Sequence, residues 1–228
     1  MEFQFQQCAL KQLQKLADYD SHSIIISGIS GIGKTYLAKQ YAAMKNIETF
    51  NVVSSKVSDL KSSLDSSYRL SEVQVLCIEN LDKGTDAASQ VILKYLEEPL
   101  PNTYVIVTAT NISALPSTIL SRAIAVIVEP PSKEELELFG NNYNSNKNKV
   151  ISKYAVYQNC KSLSDVKTLI DLDLTKLQYY DSLLDNKLWK DSVSSISWAL
   201  SHFQDNSPTD LKVVFKLFLN HSNNQIIK

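Results

Sequence analysis

Strands and helices alternate up to a double proline, and only helical pattern follows. This predicts an α/β chain: a three-layer domain on a parallel sheet, then a helical lid and a short all-helical C-terminal domain. Three observations carry the prediction. Ile24-Ile25-Ile26 is apolar and β-branched at consecutive positions, as suits a central strand covered on both faces. That strand enters a glycine-rich turn and then a helix, the order of a βα unit. Pro130-Pro131 closes the alternation, which sets the first expected domain at residues 1–131, with the helical remainder taken as 132–174 and 175–228.

Each element has its own signal. Leu10, Leu13 and Leu16 recur at threes and predict a short amphipathic helix over residues 9–16. After the first strand, Leu37, Ala38, Tyr41 and Ala42 give a helix over 35–44. Phe50-Asn51-Val52-Val53 reads as the second strand, and Val57, Leu60 and Leu64 as the apolar stripe of a helix over 55–64. Val73-Gln74-Val75-Leu76-Cys77-Ile78 is a third strand ending in Glu79. Ala88, Val91, Ile92, Tyr95 and Leu96 face inward from a helix over 86–98, which Pro99 stops. Tyr104-Val105-Ile106-Val107-Thr108 is the fourth strand, residues 119–122 a short helix and 124–128 the fifth strand. Ser132-Lys133-Glu134-Glu135 has the S-x-x-E form of a capping box and opens the lid. The Asn-rich residues 141–148 read as a solvated loop, and Pro208 stands in the first turn of the last helix.

Composition bounds the function. The 228 residues hold one large domain and something smaller, with 44% hydrophobic and 21% charged residues, as in ordinary globular chains. Lys and Arg total 23 against 24 Asp and Glu, so no overall field announces nucleic acid or membrane, and any DNA contact must be local. Met1-Glu2-Phe3-Gln4-Phe5 is not a secretory leader, and no run of about 18 apolar residues offers a membrane span. The chain is therefore expected in the cytoplasm and off the membrane. Cys8, Cys77 and Cys160 match neither a zinc pattern nor a disulfide framework and read as reduced thiols.

The strongest chemical signal is Gly28-Ile29-Ser30-Gly31-Ile32-Gly33-Lys34-Thr35, a complete G-x-x-x-x-G-K-[ST] between a strand and a helix. Its glycines let successive N–H groups curl around a phosphate, with Ser30, Gly31, Ile32 and Gly33 supplying the loop. Lys34 reaches the outer phosphates and Thr35 ligates magnesium, which implies ATP and Mg2+ as cofactors. Such a site needs a carboxylate at the end of a neighbouring strand; Glu79 fills that place on the metal side. Asn80 stands where a base-like glutamate is expected and cannot accept a proton as a carboxylate does, so hydrolysis is weakened. Asp82 either substitutes for it or opens the next helix.

Ile92-Leu93-Lys94-Tyr95-Leu96-Glu97-Glu98-Pro99 resembles the L-L-K-x-L-E-E-P helix end of bacterial clamp-loader subunits, and Ser121-Arg122 completes the likeness. The chain thus resembles the AAA+ clamp-loader family, gamma- or delta-prime-like subunits of DNA polymerase III and replication factor C, well over residues 24–138 and more weakly over 132–172. The resemblance implies a P-loop NTPase with sensor 1 at Thr110 or Asn111 and an arginine finger, Arg122, for the neighbouring subunit's nucleotide. It also implies a ring of further subunits, a sliding clamp and primed DNA as partners, and assembly-dependent ATPase activity in DNA replication. Ser54-Ser55-Lys56 matches the place where related loaders touch template DNA, which marks Ser55 and Lys56. Departures are Glu79-Asn80 for the usual Asp-Glu, Ala123 for a cysteine, no four-cysteine module, and no sensor 2 arginine, with Lys167 as the fallback. The collar-like segment is short, with Leu183, Leu184, Leu188, Trp189, Ile196, Trp198, Leu200, Phe215 and Phe218 as its apolar residues. Two other readings stay open: an inert delta-prime-like scaffold that contributes the finger, and an AAA+ helicase loader or remodelling factor.

Overall fold

The computed structural model describes residues 6–67, 72–99, 101–143 and 160–171. The chain divides into two compact units, Met1–Pro130 and Pro131–Lys228. In the first unit the elements run α1 (Gln7–Asp18), β1 (Ser23–Ser27), α2 (Lys34–Met44), β2 (Thr49–Ser54), α3 (Val57–Ser67) and β3 (Gln74–Glu79). They continue with α4 (Asp86–Glu97), β4 (Thr103–Ala109), α5 (Ser117–Leu120) and β5 (Ile124–Ile127). The strands form one sheet in the order β2-β3-β4-β1-β5, every neighbouring pair parallel.

Alternation along each strand builds the three layers. Ile24 and Ile26 of β1, Val75 and Cys77 of β3, Ile106 of β4 and Val126 of β5 pack on one face with Leu13 of α1 and Leu37, Ala38 and Tyr41 of α2. Ile25, Leu76, Ile78, Val105 and Val107 point the other way, onto Leu60 and Leu64 of α3, Ile92 and Leu96 of α4 and Ile119 of α5. Consecutive burial of Ile24, Ile25 and Ile26 is therefore what a doubly covered strand demands.

The sequence pattern and the structure differ at some edges. Leu13 is buried on α1 as its period requires, but Ala9 and Ala17 flank it in the core, while Leu10 and Leu16 lie at its margin. Small residues one turn either side let the helix sit close to α2. Residues 81–83 and 112–114, unassigned by periodicity, form single 3-10 turns at Leu81–Lys83 and Ile112–Ala114. The helix expected over 119–122 lies at Ser117–Leu120, so Arg122 follows it on the surface rather than ending it.

In the second unit, α6 (Lys133–Tyr143) and α7 (Leu163–Asp171) are described. The capping box forms in both directions: Glu135 N–H donates to Ser132 Oγ at 3.1 Å and Ser132 N–H to Glu135 Oε2 at 2.8 Å. Helix α6 runs through Asn141 and Asn142, which the composition assigned to a loop. Phe139 and Tyr143, one turn apart with ring centroids at 5.8 Å, stack along its last turn and offset the low helix propensity of asparagine. The expected domain over 175–228, with its apolar residues, lies outside the described residues.

Candidate functional site

The strand order decides where chemistry can occur. β4 lies between β1 and β3, and β1 has neighbours on both sides, so the ends of β1, β3 and β4 open together at the carboxyl edge of the sheet. In parallel sheets this edge is the place for a ligand.

β1 ends at Ser27 and the glycine loop follows. Gly28 N–H donates to the Ala109 carbonyl at 3.1 Å, which ties the loop to the end of β4. A Cβ on Gly28 would meet the Val128 carbonyl oxygen at 2.8 Å, so only glycine lets this turn pass the chain leaving β5. Gly31 and Gly33 adopt φ of 78° and 99°, left-handed conformations that turn the loop into the first residue of α2. Ile32 is buried beneath it, and the Gln6 side-chain amide donates to the Ile32 carbonyl at 2.5 Å.

Lys34 is buried and turns its ammonium back over the loop, donating to the carbonyls of Gly28 at 2.8 Å and Ile29 at 3.1 Å. Burial pushes its pKa below the ordinary lysine value, while the charges of Asp82 and Glu79 work against that shift. At the second residue of the helix, the Thr35 hydroxyl donates to Glu79 Oε1 at 2.6 Å, joining α2 to the end of β3. A hydroxyl and a carboxylate side by side are hard oxygen donors, the chemistry magnesium takes. Beside them a buried ammonium is bonded to main-chain carbonyls that anionic oxygens can replace. The residues fit a magnesium-bound phosphate chain.

The next residues separate into distinct jobs. Asn80 has φ 50° and ψ 51°, and its N–H donates to Thr108 Oγ1 at 3.0 Å. Asparagine tolerates this left-handed turn, which starts the 3-10 turn carrying Asp82. Asp82 Oδ2 accepts the N–H of Thr110 at 3.0 Å, the N–H of Asn111 at 3.1 Å and the Thr110 hydroxyl. Burial works to raise the Asp82 pKa, but the hydrogen bonds from Thr110 and Asn111 outweigh it and hold it below the usual carboxylate value. Asp82 is thus neither a helix cap nor a free acid. A carboxylate three residues after Glu79, opposite a Thr-Asn pair ending the neighbouring strand, is the signal that could have revealed its role.

The two candidates for sensor 1 also separate. The Thr110 hydroxyl is held by Asp82, whereas the Asn111 side-chain oxygen caps the 3-10 turn that follows it, accepting Ser113 N–H at 3.0 Å. The Asn111 amide nitrogen has no partner among the described residues.

Arg122 lies apart from this cluster. Its Nη2 pairs with Glu97 Oε1 at 2.8 Å, and its Nη1 donates to the Thr118 carbonyl at 2.9 Å and to Ser121 Oγ at 3.2 Å. Glu97 is the first acid of the Glu97-Glu98-Pro99 helix end, read from sequence as part of a family signature and not as the partner of Arg122. Ser55 and Lys56 precede α3, and this helix start is already capped from within. Lys56 N–H donates to Ser54 Oγ at 3.3 Å, while the Ser54 hydroxyl donates to Asp59 at 2.5 Å. In the second unit, Lys167 sits over the Tyr143 ring at 5.7 Å.

Comparison with known proteins bears on this geometry. The family model described as DNA polymerase III, delta subunit matches residues 45–132. The DNA polymerase III subunit gamma of Buchnera aphidicola subsp. Schizaphis graminum is 26% identical over 172 residues, 59% of this chain and 47% of that protein. The subunit delta' of Haemophilus influenzae is 36% identical over 61 residues, 27% of this chain and 19% of that one. The chain thus spans about half the length, or less, of these curated relatives. Among solved structures, the Thermotoga maritima RuvB Holliday junction branch migration motor is similar with a TM-score of 0.58 at 20% identity, over 75% of this chain and 64% of that chain. A gamma subunit-related protein from Thermotoga maritima is similar with a TM-score of 0.55 at 14% identity, over 91% of this chain and 76% of that one.

Proposed function

We propose that this chain, whose fold and partial similarities are those of clamp-loader-like P-loop proteins, binds ATP with magnesium and serves as one subunit of a ring that opens a sliding clamp and places it on primed DNA. The observation that carries the reading is the junction of three strand ends: Lys34 on the loop after β1, the Thr35–Glu79 bond at 2.6 Å to β3, and Asp82 holding Thr110 and Asn111 after β4. Similarity to gamma and delta' subunits supports the replication setting, and with it a place in the cytoplasm.

Each residue has a physical task. Lys34 exchanges the carbonyls of Gly28 and Ile29 for phosphate oxygens. The loop N–H groups from Ser30 to Gly33 close around the same anion. Thr35 and Glu79 hold the magnesium ion, whose charge, when bound, offsets that of the phosphates. Asn111 offers its side-chain amide to the terminal phosphate. Arg122 works on the neighbouring subunit. Its exposed pairing with Glu97 is of a kind worth about 0.2–1 kcal/mol, so exchanging the carboxylate for a phosphate costs little. A guanidinium supplied from outside makes turnover depend on assembly. Ser55 and Lys56 meet the DNA backbone, where phosphate contacts position without reading bases.

Calorimetry of the full chain with magnesium and ATP tests the core of this reading. Association is expected in the wild type and lost in Lys34→Ala; no heat in the wild type, alone or with ring partners, overturns the proposal. Within the assembled ring, Arg122→Ala should lower turnover by about 10³-fold, as loss of an arginine finger does, and leave the chain's own ATP affinity unchanged. Asn80 favours a second reading, an inert scaffold that binds ATP without turning it over, because its side chain is an amide on a left-handed turn. In that case the calorimetric heat survives, and Lys34→Ala in this chain leaves the ring's turnover unchanged.

A further inference from the structure

Asp82 makes more bonds to a distant segment than a turn residue requires. A capping aspartate ordinarily accepts from the first N–H groups of its own helix. Asp82 Oδ2 instead accepts three donors from Thr110 and Asn111, 28 and 29 residues further on, at the end of β4. Its second oxygen, Oδ1, is buried and has no hydrogen-bond partner among the described residues. A buried carboxylate oxygen without a partner is costly, and such a residue is kept where its charge serves a purpose. The charge of Asp82 is also felt at Lys34, ahead of that of Glu79, so this carboxylate links the two sides of the phosphate cradle.

We propose that Asp82 is a positioning residue of the nucleotide site: it anchors the Thr110–Asn111 segment so that the Asn111 amide is set for the terminal phosphate. The assignment rests on the nucleotide-site reading above. The division of labour is clear in the geometry. Thr110 gives both its N–H and its hydroxyl to Asp82, and Asn111 gives its N–H while its side-chain nitrogen has no partner among the described residues. Three donors on one oxygen absorb enough of the charge of Asp82 for it to sit beside a phosphate-binding loop. An asparagine at position 82 would keep the shape but lose the charge, and one face of its side chain would carry donors into the buried slot of Oδ1.

The experiment is the ratio of ATP to ADP affinity, measured by calorimetry with magnesium on the full chain, with amide hydrogen exchange at Thr110 and Asn111 as a readout that needs no nucleotide. In Asp82→Asn the ratio should fall about tenfold, the scale of one misplaced charge-assisted hydrogen bond. ADP affinity should stay within about threefold, and exchange at the two amides should quicken. In an Asn111→Ala background the same substitution should lower the ratio no further, because Asp82 acts through Asn111. If Asp82→Asn does not fold, Thr110→Val, which removes only the hydroxyl donor, should shift the ratio in the same direction. An unchanged ratio, a further fall in the Asn111→Ala background, or a wild type that does not distinguish ATP from ADP overturns the role of Asp82. A wild type that binds neither nucleotide overturns the site reading itself, while exchange at Thr110 and Asn111 still reports whether Asp82 holds them.

Discussion

At Gly28 the requirement for glycine is steric rather than conformational. The Val128 carbonyl at 2.8 Å from a would-be Cβ is backbone at the end of β5, and it cannot rotate away as a side chain would. Gly28→Ala must push the loop off the sheet edge, and overpacking of this kind costs roughly 1–3 kcal/mol. The expected outcome is a lowered melting temperature together with loss of nucleotide affinity, read by thermal denaturation and calorimetry; an alanine variant that binds ATP as the wild type does would show the contact to be slack. The strand-loop-helix form of this segment was legible in the sequence because its residues are consecutive. The separate jobs of Thr110 and Asn111 were not, because nothing in a Thr-Asn dipeptide says which side chain Asp82 will hold.

Elements meet at the opposite end of the sheet through Asp20, in the turn between α1 and β1. It accepts from Lys45, just past α2, at 2.5 Å and from the Tyr104 hydroxyl at the start of β4 at 2.5 Å. His22 stacks on the same Tyr104 ring at 4.5 Å, and the Tyr41 hydroxyl donates to the Ser21 carbonyl at 2.5 Å. The bond from Lys45, then that from Tyr104, holds the Asp20 carboxyl below its ordinary pKa. A depressed folded-state pKa contributes stability that is present above the unfolded value of about 3.9 and is lost as pH falls through the folded one. Urea midpoints measured from pH 6 down to pH 3 should therefore decline less steeply in Asp20→Asn than in the wild type, with the variant already weaker at pH 6. Equal slopes in the two proteins would remove Asp20 from the account. Sequence reading passed over this cluster, since Asp20, Lys45 and Tyr104 come from three elements and match no motif.

On the scale of the whole molecule, the nucleotide should act as a stabiliser. A ligand that binds only the folded state adds about 2.7 kcal/mol at a hundredfold excess over its dissociation constant. Magnesium and ATP should thus raise the melting temperature of the wild type and leave Lys34→Ala unmoved, and a variant that still shifts would mean that the loop is not the site. The sequence alone determined the glycine loop between β1 and α2, the five strands and the inward faces of α2, α3 and α4, because each rests on neighbours a few positions apart and on burial patterns with a period of 2 or 3.6. Tertiary structure alone decided that Thr35 meets Glu79 across 44 positions, that Asp82 grips Thr110 and Asn111, and that Arg122 rests on Glu97. The physical reason lies in the strand order β2-β3-β4-β1-β5, which sets β4 between β1 and β3 and so brings together side chains whose distance along the chain carries no trace of their contact.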